Sequence, residues 1–71
     1  MQKMDFTGSR IKEIRLKKGL TQKKLACMAK VSVDYLSDIE RGKHRPSVKA
    51  IARIAAALGV SIAELKGGGL N

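Results

Sequence analysis

The side chains of this sequence that could do chemistry are mainly cations. Lysine and arginine number 15 against 6 aspartate and glutamate residues, which gives a formal net charge of +9. Four basic or titratable residues fall within five positions: Arg41, Lys43, His44 and Arg45. Guanidinium and ammonium groups bind phosphate oxygens, so this excess predicts a polyanionic partner, with double-stranded nucleic acid the leading candidate. One Phe and one Tyr are too few to form a stacking platform for single-stranded bases.

The residue combinations needed for catalysis or metal binding do not occur in the sequence. The single cysteine, Cys27, and the single histidine, His44, cannot make an internal disulfide or a cysteine-rich zinc site. No plausible nucleophile–base pair is found, and the glycines at 67–69 precede neither a helix nor a lysine, as a phosphate-cradling loop would. We therefore expect a protein that is not an enzyme and that needs no metal or cofactor.

A length of 71 residues allows one small domain. The N-terminal residues contain no apolar run that could serve as a signal peptide. The most apolar stretch, Ala50 to Ala63, is broken by Arg53 and Gly59, so it predicts no membrane span. We expect a folded cytoplasmic module with an N-terminal extension over 1–6, the domain over 7–66 and a flexible glycine-rich tail over 67–71.

Apolar residues recur with helical spacing along the chain, and no stretch alternates with a period of two. Turn and capping signals divide the chain into five candidate helices, so the predicted fold class is all-α. The helices are expected from Gly8 to Lys18 after an N-cap at Thr7, from just after Thr21, from Ser32 to about Arg41, from Pro46-Ser47, and from Ser61, where Glu64 completes a capping box.

Glu40 falls on the core side of the third helix, where an unpaired carboxylate would be costly. A projection at about 100° per residue places Leu36 and Ile39 on the same side. The same projection places Arg15 at the edge of the apolar face of the first helix. If the two helices pack together, Arg15 and Glu40 form a partly buried ion pair that holds the third helix on its scaffold. Otherwise they are two unrelated surface charges.

An ordered series of short segments runs through most of the chain: Gly19-Leu20-Thr21-Gln22, Leu25-Ala26, Val31-Ser32, Tyr35-Leu36-Ser37, Ile39-Glu40-Arg41-Gly42-Lys43, Pro46-Ser47 and Leu58-Gly59-Val60-Ser61. Together these segments resemble the phage repressor and Cro family of helix-turn-helix DNA-binding domains, the XRE-type or lambda-repressor-like fold. The resemblance covers roughly residues 8–65. It implies a compact five-helix bundle, usually dimeric, whose second and third helices form the helix-turn-helix. It also implies a protein that is encoded by a bacterium or a phage and is associated with the nucleoid.

By position, the resemblance implies that the helix Val33 to Arg41 enters the major groove of DNA. The residues that it assigns to base contacts are Val33, Asp34, Ser37 and Asp38. The residues that it assigns to the DNA backbone are Gln22, Tyr35, Arg41, Lys43, His44 and Arg45. An amide such as that of Gln22, beside the free N–H groups of a helix N-terminus, suits a phosphate contact.

The two aspartates on this helix leave alternatives open. Asp34 can accept a hydrogen bond from cytosine N4, or it can merely favour the helix dipole from the first turn. Asp38 lies too far along the helix for the dipole role, so a base contact is favoured. Because no Arg, Lys, Gln or Asn stands at a base-contacting position, DNA shape is expected to carry much of the specificity.

Lys30 stands in the turn between the second and third helices, where the family commonly has glycine. A left-handed backbone at Lys30 would cost about 1 kcal/mol relative to glycine. Alternatively, the turn has a different shape in this chain, and the angle between the two helices differs with it.

The leading functional hypothesis is a sequence-specific regulator, expected to act as a dimeric repressor at an inverted-repeat operator in double-stranded DNA. A homodimer would form through the domain itself, with Ile62, Leu65 and Leu70 as the apolar candidates and with half-sites about 34 Å apart. The alternative is an antitoxin-type module whose main partner is a protein toxin and whose DNA binding is autoregulatory. Leu16, which projects outward, is the candidate contact for such a protein partner, and RNA polymerase is another candidate partner.

Overall fold

The computed structural model describes residues 7–66 and contains, over that range, five α-helices and no β-strand. The helices are α1 (Thr7–Lys17), α2 (Gln22–Ala29), α3 (Val33–Glu40), α4 (Val48–Leu58) and α5 (Ile62–Leu65). The predicted all-α class and the order of the five helices are confirmed. α1 begins at Thr7, where an N-cap was expected, and α3 ends one residue before Arg41. The predicted extension and tail, and with them Leu70, lie outside the described residues.

Hydroxyl side chains cap the N-termini of α2 to α5. Thr21, Ser32, Ser47 and Ser61 each accept a hydrogen bond, 3.0–3.2 Å long, from the backbone N–H three residues further along. A cap of this kind stabilises a helix by about 1 kcal/mol. At the other end of α4, Gly59 adopts a φ of 73°, a left-handed conformation that ends the helix. Local sequence signals therefore set most of the helix ends.

The hydrophobic core lies where the apolar faces of all five helices meet. α2 packs along α4, and α1 packs against both α3 and α5. The largest fully buried side chains are Ile11, Leu25, Leu36, Ile39, Ile54, Leu58 and Leu65.

Leu65 belongs to this core, which corrects the prediction that it forms part of a dimer interface. Its side chain is 0% exposed and joins the central cluster of apolar residues. Because α5 is only four residues long, burial of Leu65 is what packs this helix against its neighbours. Ile62 lies in the same helix but is exposed, so it stays a candidate for contact with a second copy.

Gly8 allows α1 and α3 to approach each other closely. A β-carbon at this position would overlap the backbone carbonyl oxygen of Ile39 and crowd the α-carbon of Glu40. In the sequence, Gly8 marks only the start of a helix, so this requirement was not predicted. The close approach matters because Arg15 and Glu40 lie in the same α1–α3 interface.

Lys30 adopts a left-handed backbone, with φ of 58° and ψ of 46°. Its N–H donates to the carbonyl oxygens of Ala26 and Cys27, which closes the C-terminus of α2. Of the two alternatives that the sequence left open, the structure therefore shows the turn in which lysine replaces the more suitable glycine.

Gly8→Ala is expected to lower the free energy of unfolding by about 1–3 kcal/mol, because the added methyl group overlaps backbone atoms that cannot rotate away. Chemical denaturation measures this loss. Ser9→Ala is the matched control, since Ser9 is exposed on the same turn of α1 and its replacement should cost less than about 0.5 kcal/mol. Equal free energies of unfolding for the two variants would contradict the close contact between α1 and α3.

Lys30→Gly is expected to raise the free energy of unfolding by about 0.5–1 kcal/mol, because glycine adopts a left-handed backbone without steric cost. Lys30→Ala removes the same charge but keeps a β-carbon, so it should bring no comparable gain. Thermal and chemical denaturation of the two variants checks this, and equal stabilisation by both would assign the gain to the lost charge instead.

Candidate nucleic-acid interface

A buried ion pair joins α1 to the end of α3. Nε of Arg15 donates to Oε2 of Glu40 at 2.8 Å, and Nη2 donates to Oε1 at 3.0 Å. Nη1 of Arg15 also donates to the carbonyl oxygen of Leu20 at 2.8 Å. The arginine and glutamate side chains are only 8% and 2% exposed. This is the pair expected from the helical projection, and its two-pronged geometry holds the end of α3 against α1.

Gln22 connects this ion pair to the first turn of α2. Its Nε2 donates to Oε1 of Glu40 at 3.0 Å, so the amide assigned to a DNA phosphate also bonds within the protein. The bond was not predicted, because no local spacing rule relates two residues that lie 18 positions apart. Nε2 of Gln22 has a second hydrogen that is not used in this bond and can be donated to another acceptor.

α3 presents small and polar side chains away from the core. Val33 and Asp34, in its first turn, are exposed. Ser37 and Asp38 follow one turn later on the same side of the helix and are half-buried. Leu36 faces the opposite way and is fully buried. The four residues assigned to base contacts therefore share one uncovered face.

Tyr35 links α3 to the beginning of α4. Its hydroxyl oxygen accepts a hydrogen bond from the N–H of Ser47 at 3.2 Å, and the half-buried residue packs against the core. A phenolic hydroxyl can accept and donate at the same time, so its proton remains available for an external acceptor.

The loop that follows α3 is held against Asp38. The backbone carbonyl oxygen of Asp38 accepts hydrogen bonds from the N–H groups of Lys43 and His44, at 2.8 and 3.4 Å. Its carboxylate oxygens lie 3.4 Å from Nη2 of Arg41 and 3.6 Å from Nε2 of His44. All four basic or titratable residues of the loop, including Arg45, are exposed. A compact cationic surface thus lies directly beside the C-terminal end of α3.

Two further observations apply to residues 7–66. They contain no cluster of three or more His, Cys, Asp or Glu side chains that could hold a metal ion. None of the helices in this range combines the length and the apolar character needed to cross a membrane.

Two capped helices joined by a tight turn, the second with an uncovered polar face beside a cationic loop, define a helix-turn-helix domain. The helix-turn-helix family HTH_3 matches residues 11–65, and the chain belongs to this family. The XRE-type resemblance found in the sequence is thereby confirmed. The family consists of DNA-binding transcriptional regulators and not of enzymes.

Two of the relatives that share 40% identity or more come from a phage and from a bacterium. The immunity repressor protein of Bacillus phage phi105 is 43% identical over 60 residues, which cover 84% of this chain and 42% of the repressor. The uncharacterised HTH-type transcriptional regulator y4dJ of Sinorhizobium fredii is 40% identical over 65 residues, covering 92% of this chain and 84% of the regulator. The chain thus spans less than half the length of the phage repressor that it matches.

Solved structures share the fold closely. The restriction-modification controller protein C.AhdI of Aeromonas hydrophila superposes with a TM-score of 0.81 at 36% identity, over 83% of this chain and 89% of that protein. SinR of Bacillus subtilis, described as the master regulator for biofilm formation and solved in complex with DNA, gives 0.80 at 40% identity, over 83% of this chain and 95% of that chain.

Glu40→Ala is expected to lower the free energy of unfolding by about 3–5 kcal/mol, because Arg15 would keep a buried charge without its partner. Chemical denaturation, carried out at low temperature so that the variant stays folded without denaturant, measures this loss of free energy of unfolding. Glu13→Ala is the control, since it removes a carboxylate from an exposed pair, 3.1 Å from Nη1 of Arg10. The control should change stability by less than about 0.5 kcal/mol. A loss below about 1 kcal/mol for Glu40→Ala would contradict the structural role of the buried pair.

Proposed function

We propose that this chain is a sequence-specific repressor that binds double-stranded DNA as a dimer and places α3 in the major groove. The observation that carries the proposal is the position of α3, held by a buried ion pair with its polar face uncovered and a cationic loop beside it. An α-helix with its side chains is about 10–12 Å across, which fits a major groove about 12 Å wide. The phage immunity repressor and the DNA complex of SinR, both at 40% identity or more, support regulatory DNA binding.

Base contacts are assigned to the exposed first turns of α3. The carboxylate of Asp34 can accept a hydrogen bond from cytosine N4, and Val33 can contact a thymine methyl group. Ser37 can donate to or accept from either kind of base. Three small side chains make few direct contacts, so the sequence-dependent shape of DNA supplies much of the specificity.

Backbone contacts are assigned to the groups that surround α3. The second amide hydrogen of Gln22 and the hydroxyl proton of Tyr35 are suited to phosphate oxygens. The exposed cations of the 41–45 loop supply the electrostatic attraction. If about six phosphates are neutralised in all, the log–log salt dependence of binding has a slope near −5.

A dimer is proposed to form through the domain itself. Ile62 is the exposed apolar candidate on α5, since Leu65 is committed to the core. Two copies related by a twofold axis would address half-sites about 34 Å apart, one turn of the DNA helix.

Selection of binding sites from a random duplex pool, at physiological ionic strength, tests the proposal. We expect an inverted repeat that is bound at least about 10³-fold more tightly than non-specific DNA. Recovery of no sequence motif, with weak binding that disappears steeply as salt is added, would contradict sequence-specific repression.

The second candidate function is a module whose main partner is a protein, such as a toxin or RNA polymerase. The observation that favours it is Leu16, whose side chain is 57% exposed on α1. Isolated exposed apolar residues are common on monomeric domains, so this observation is weaker than the surface formed by α3 and its loop. If the selection from duplex DNA recovers no motif, binding to a protein partner becomes the leading hypothesis.

Substitution of Asp34 should change the base preference of binding, whereas substitution of Lys43 should change the overall affinity and its salt dependence. Asp34→Ala is expected to relax base preference at one position of each half-site, a discrimination worth about 1–3 kcal/mol. Lys43→Ala is expected to weaken binding uniformly across sequences and to reduce the salt slope by about 1, because it removes a phosphate contact. Binding titrations against a set of single-base operator variants, at several salt concentrations, measure both. A base-specific effect of Lys43→Ala, or a uniform effect of Asp34→Ala, would reverse the assignments.

A further inference from the structure

The two aspartates of α3 have different surroundings, although both lie on its outer face. Asp34 is exposed, and among the described residues its side chain has no hydrogen-bond or ion-pair partner. Asp38 is only 30% exposed, and each of its carboxylate oxygens lies beside a different cationic or titratable side chain. Only Asp34 is therefore free to meet a base without first giving up a partner within the protein.

The contacts of Asp38 all lead to the loop that follows α3. Oδ1 lies 3.4 Å from Nη2 of Arg41, and Oδ2 lies 3.6 Å from Nε2 of His44. The backbone carbonyl of the same residue accepts from the N–H of Lys43 and that of His44, so one residue contacts the loop through both backbone and side chain. Arg41, Lys43 and Arg45 are three exposed cations within five positions, so they repel one another, and a carboxylate beside them reduces that repulsion.

We propose that Asp38 is a positioning residue for the phosphate-binding loop and does not contact bases. Its carboxylate orients the guanidinium of Arg41 and the imidazole of His44, while its carbonyl oxygen shapes the backbone between them. This inference rests on the proposed DNA-binding function and divides the outer face of α3 in two. Val33, Asp34 and Ser37 contact the bases, whereas Asp38 positions the loop side chains that contact the DNA backbone.

The decisive comparison is Asp38→Asn against Asp38→Ala. Both variants lose the negative charge, so any gain from reduced repulsion of DNA phosphates is common to the two. Asparagine keeps an amide oxygen that can accept from Arg41 or His44, whereas alanine keeps none. We expect the Asn variant to bind the selected operator about three- to fivefold more tightly than the Ala variant, the range of one exposed charged contact.

A double-mutant cycle tests whether Asp38 affects DNA binding through Arg41 and His44. In a background that carries Arg41→Ala and His44→Ala, the two Asp38 variants should bind within about twofold of each other, because the groups that Asp38 orients are gone. The base-preference profile of Asp38→Ala should match that of the unaltered chain at every operator position. Asp34→Ala, the control on the same helix face, should alter that profile.

Two results would overturn the proposal. One is a base preference that is lost or changed at a single operator position in an Asp38 variant, which would make Asp38 a base-contacting residue. The other is a difference between the Asn and Ala variants that persists in the background lacking Arg41 and His44. Asp38 would then act independently of the loop.

A measurement on the DNA-free protein tests the role of Asp38 even if the proposed DNA-binding function is wrong. If selection returns no operator, nuclear magnetic resonance of the free chain still compares the side-chain signals of Arg41 and His44 in the unaltered protein and in Asp38→Ala. Shifts of both signals, with the signals of α1 and α4 unchanged, support positioning by Asp38. Unchanged signals of Arg41 and His44 overturn it, whatever the chain binds.

Discussion

The carboxylate of Glu40 is the point at which the helix-turn-helix is joined to the rest of the domain. Its two oxygens accept three hydrogen bonds, two from Arg15 of α1 and one from Gln22 of α2. Arg15 in turn donates to the carbonyl of Leu20, in the connection between these helices. Because a buried charge is costly unless it is paired, departure of α1 from this arrangement would be penalised, and departure of α2 would cost a hydrogen bond to the carboxylate. One side chain thus ties α3 to both neighbours, in addition to the packing of Leu36 and Ile39 in the core.

The outer surface follows from this anchoring. With Leu36 and Ile39 in the core and Glu40 engaged with Arg15, the opposite side of α3 is left with small polar groups. The chain then turns at Gly42 into a loop whose backbone and side chains return to Asp38. The side chains that we propose to bind phosphates are consequently held at a set distance from those that we propose to contact bases. A rigid arrangement of this kind costs less ordering entropy when DNA binds.

The sequence predicted the features that depend on neighbouring residues or on helical periodicity. The helix order, the hydroxyl caps at Ser32 and Ser61, and the facing of Arg15 and Glu40 all have local signals. Features that depend on how distant helices cross were missed: the close approach at Gly8, the bond of Gln22 to Glu40, and the burial of Leu65. The pairs made by Asp38 were also missed, because they depend on how the loop after α3 folds back onto the helix. The periodicity of α5 was too short to show which of its apolar residues faces inward. The left-handed backbone at Lys30 was one of two stated alternatives, since a lysine carries no signal that selects between them.

We propose that the outer face of α3 and the loop after it form the DNA-binding surface. Titration of nitrogen-15-labelled protein with an operator duplex, followed through backbone amide signals, tests it most directly. We expect the largest changes at residues 33–37 and 41–45 and at the first turn of α2. Changes centred on α4, with the signals of α3 and its loop unmoved, would contradict it.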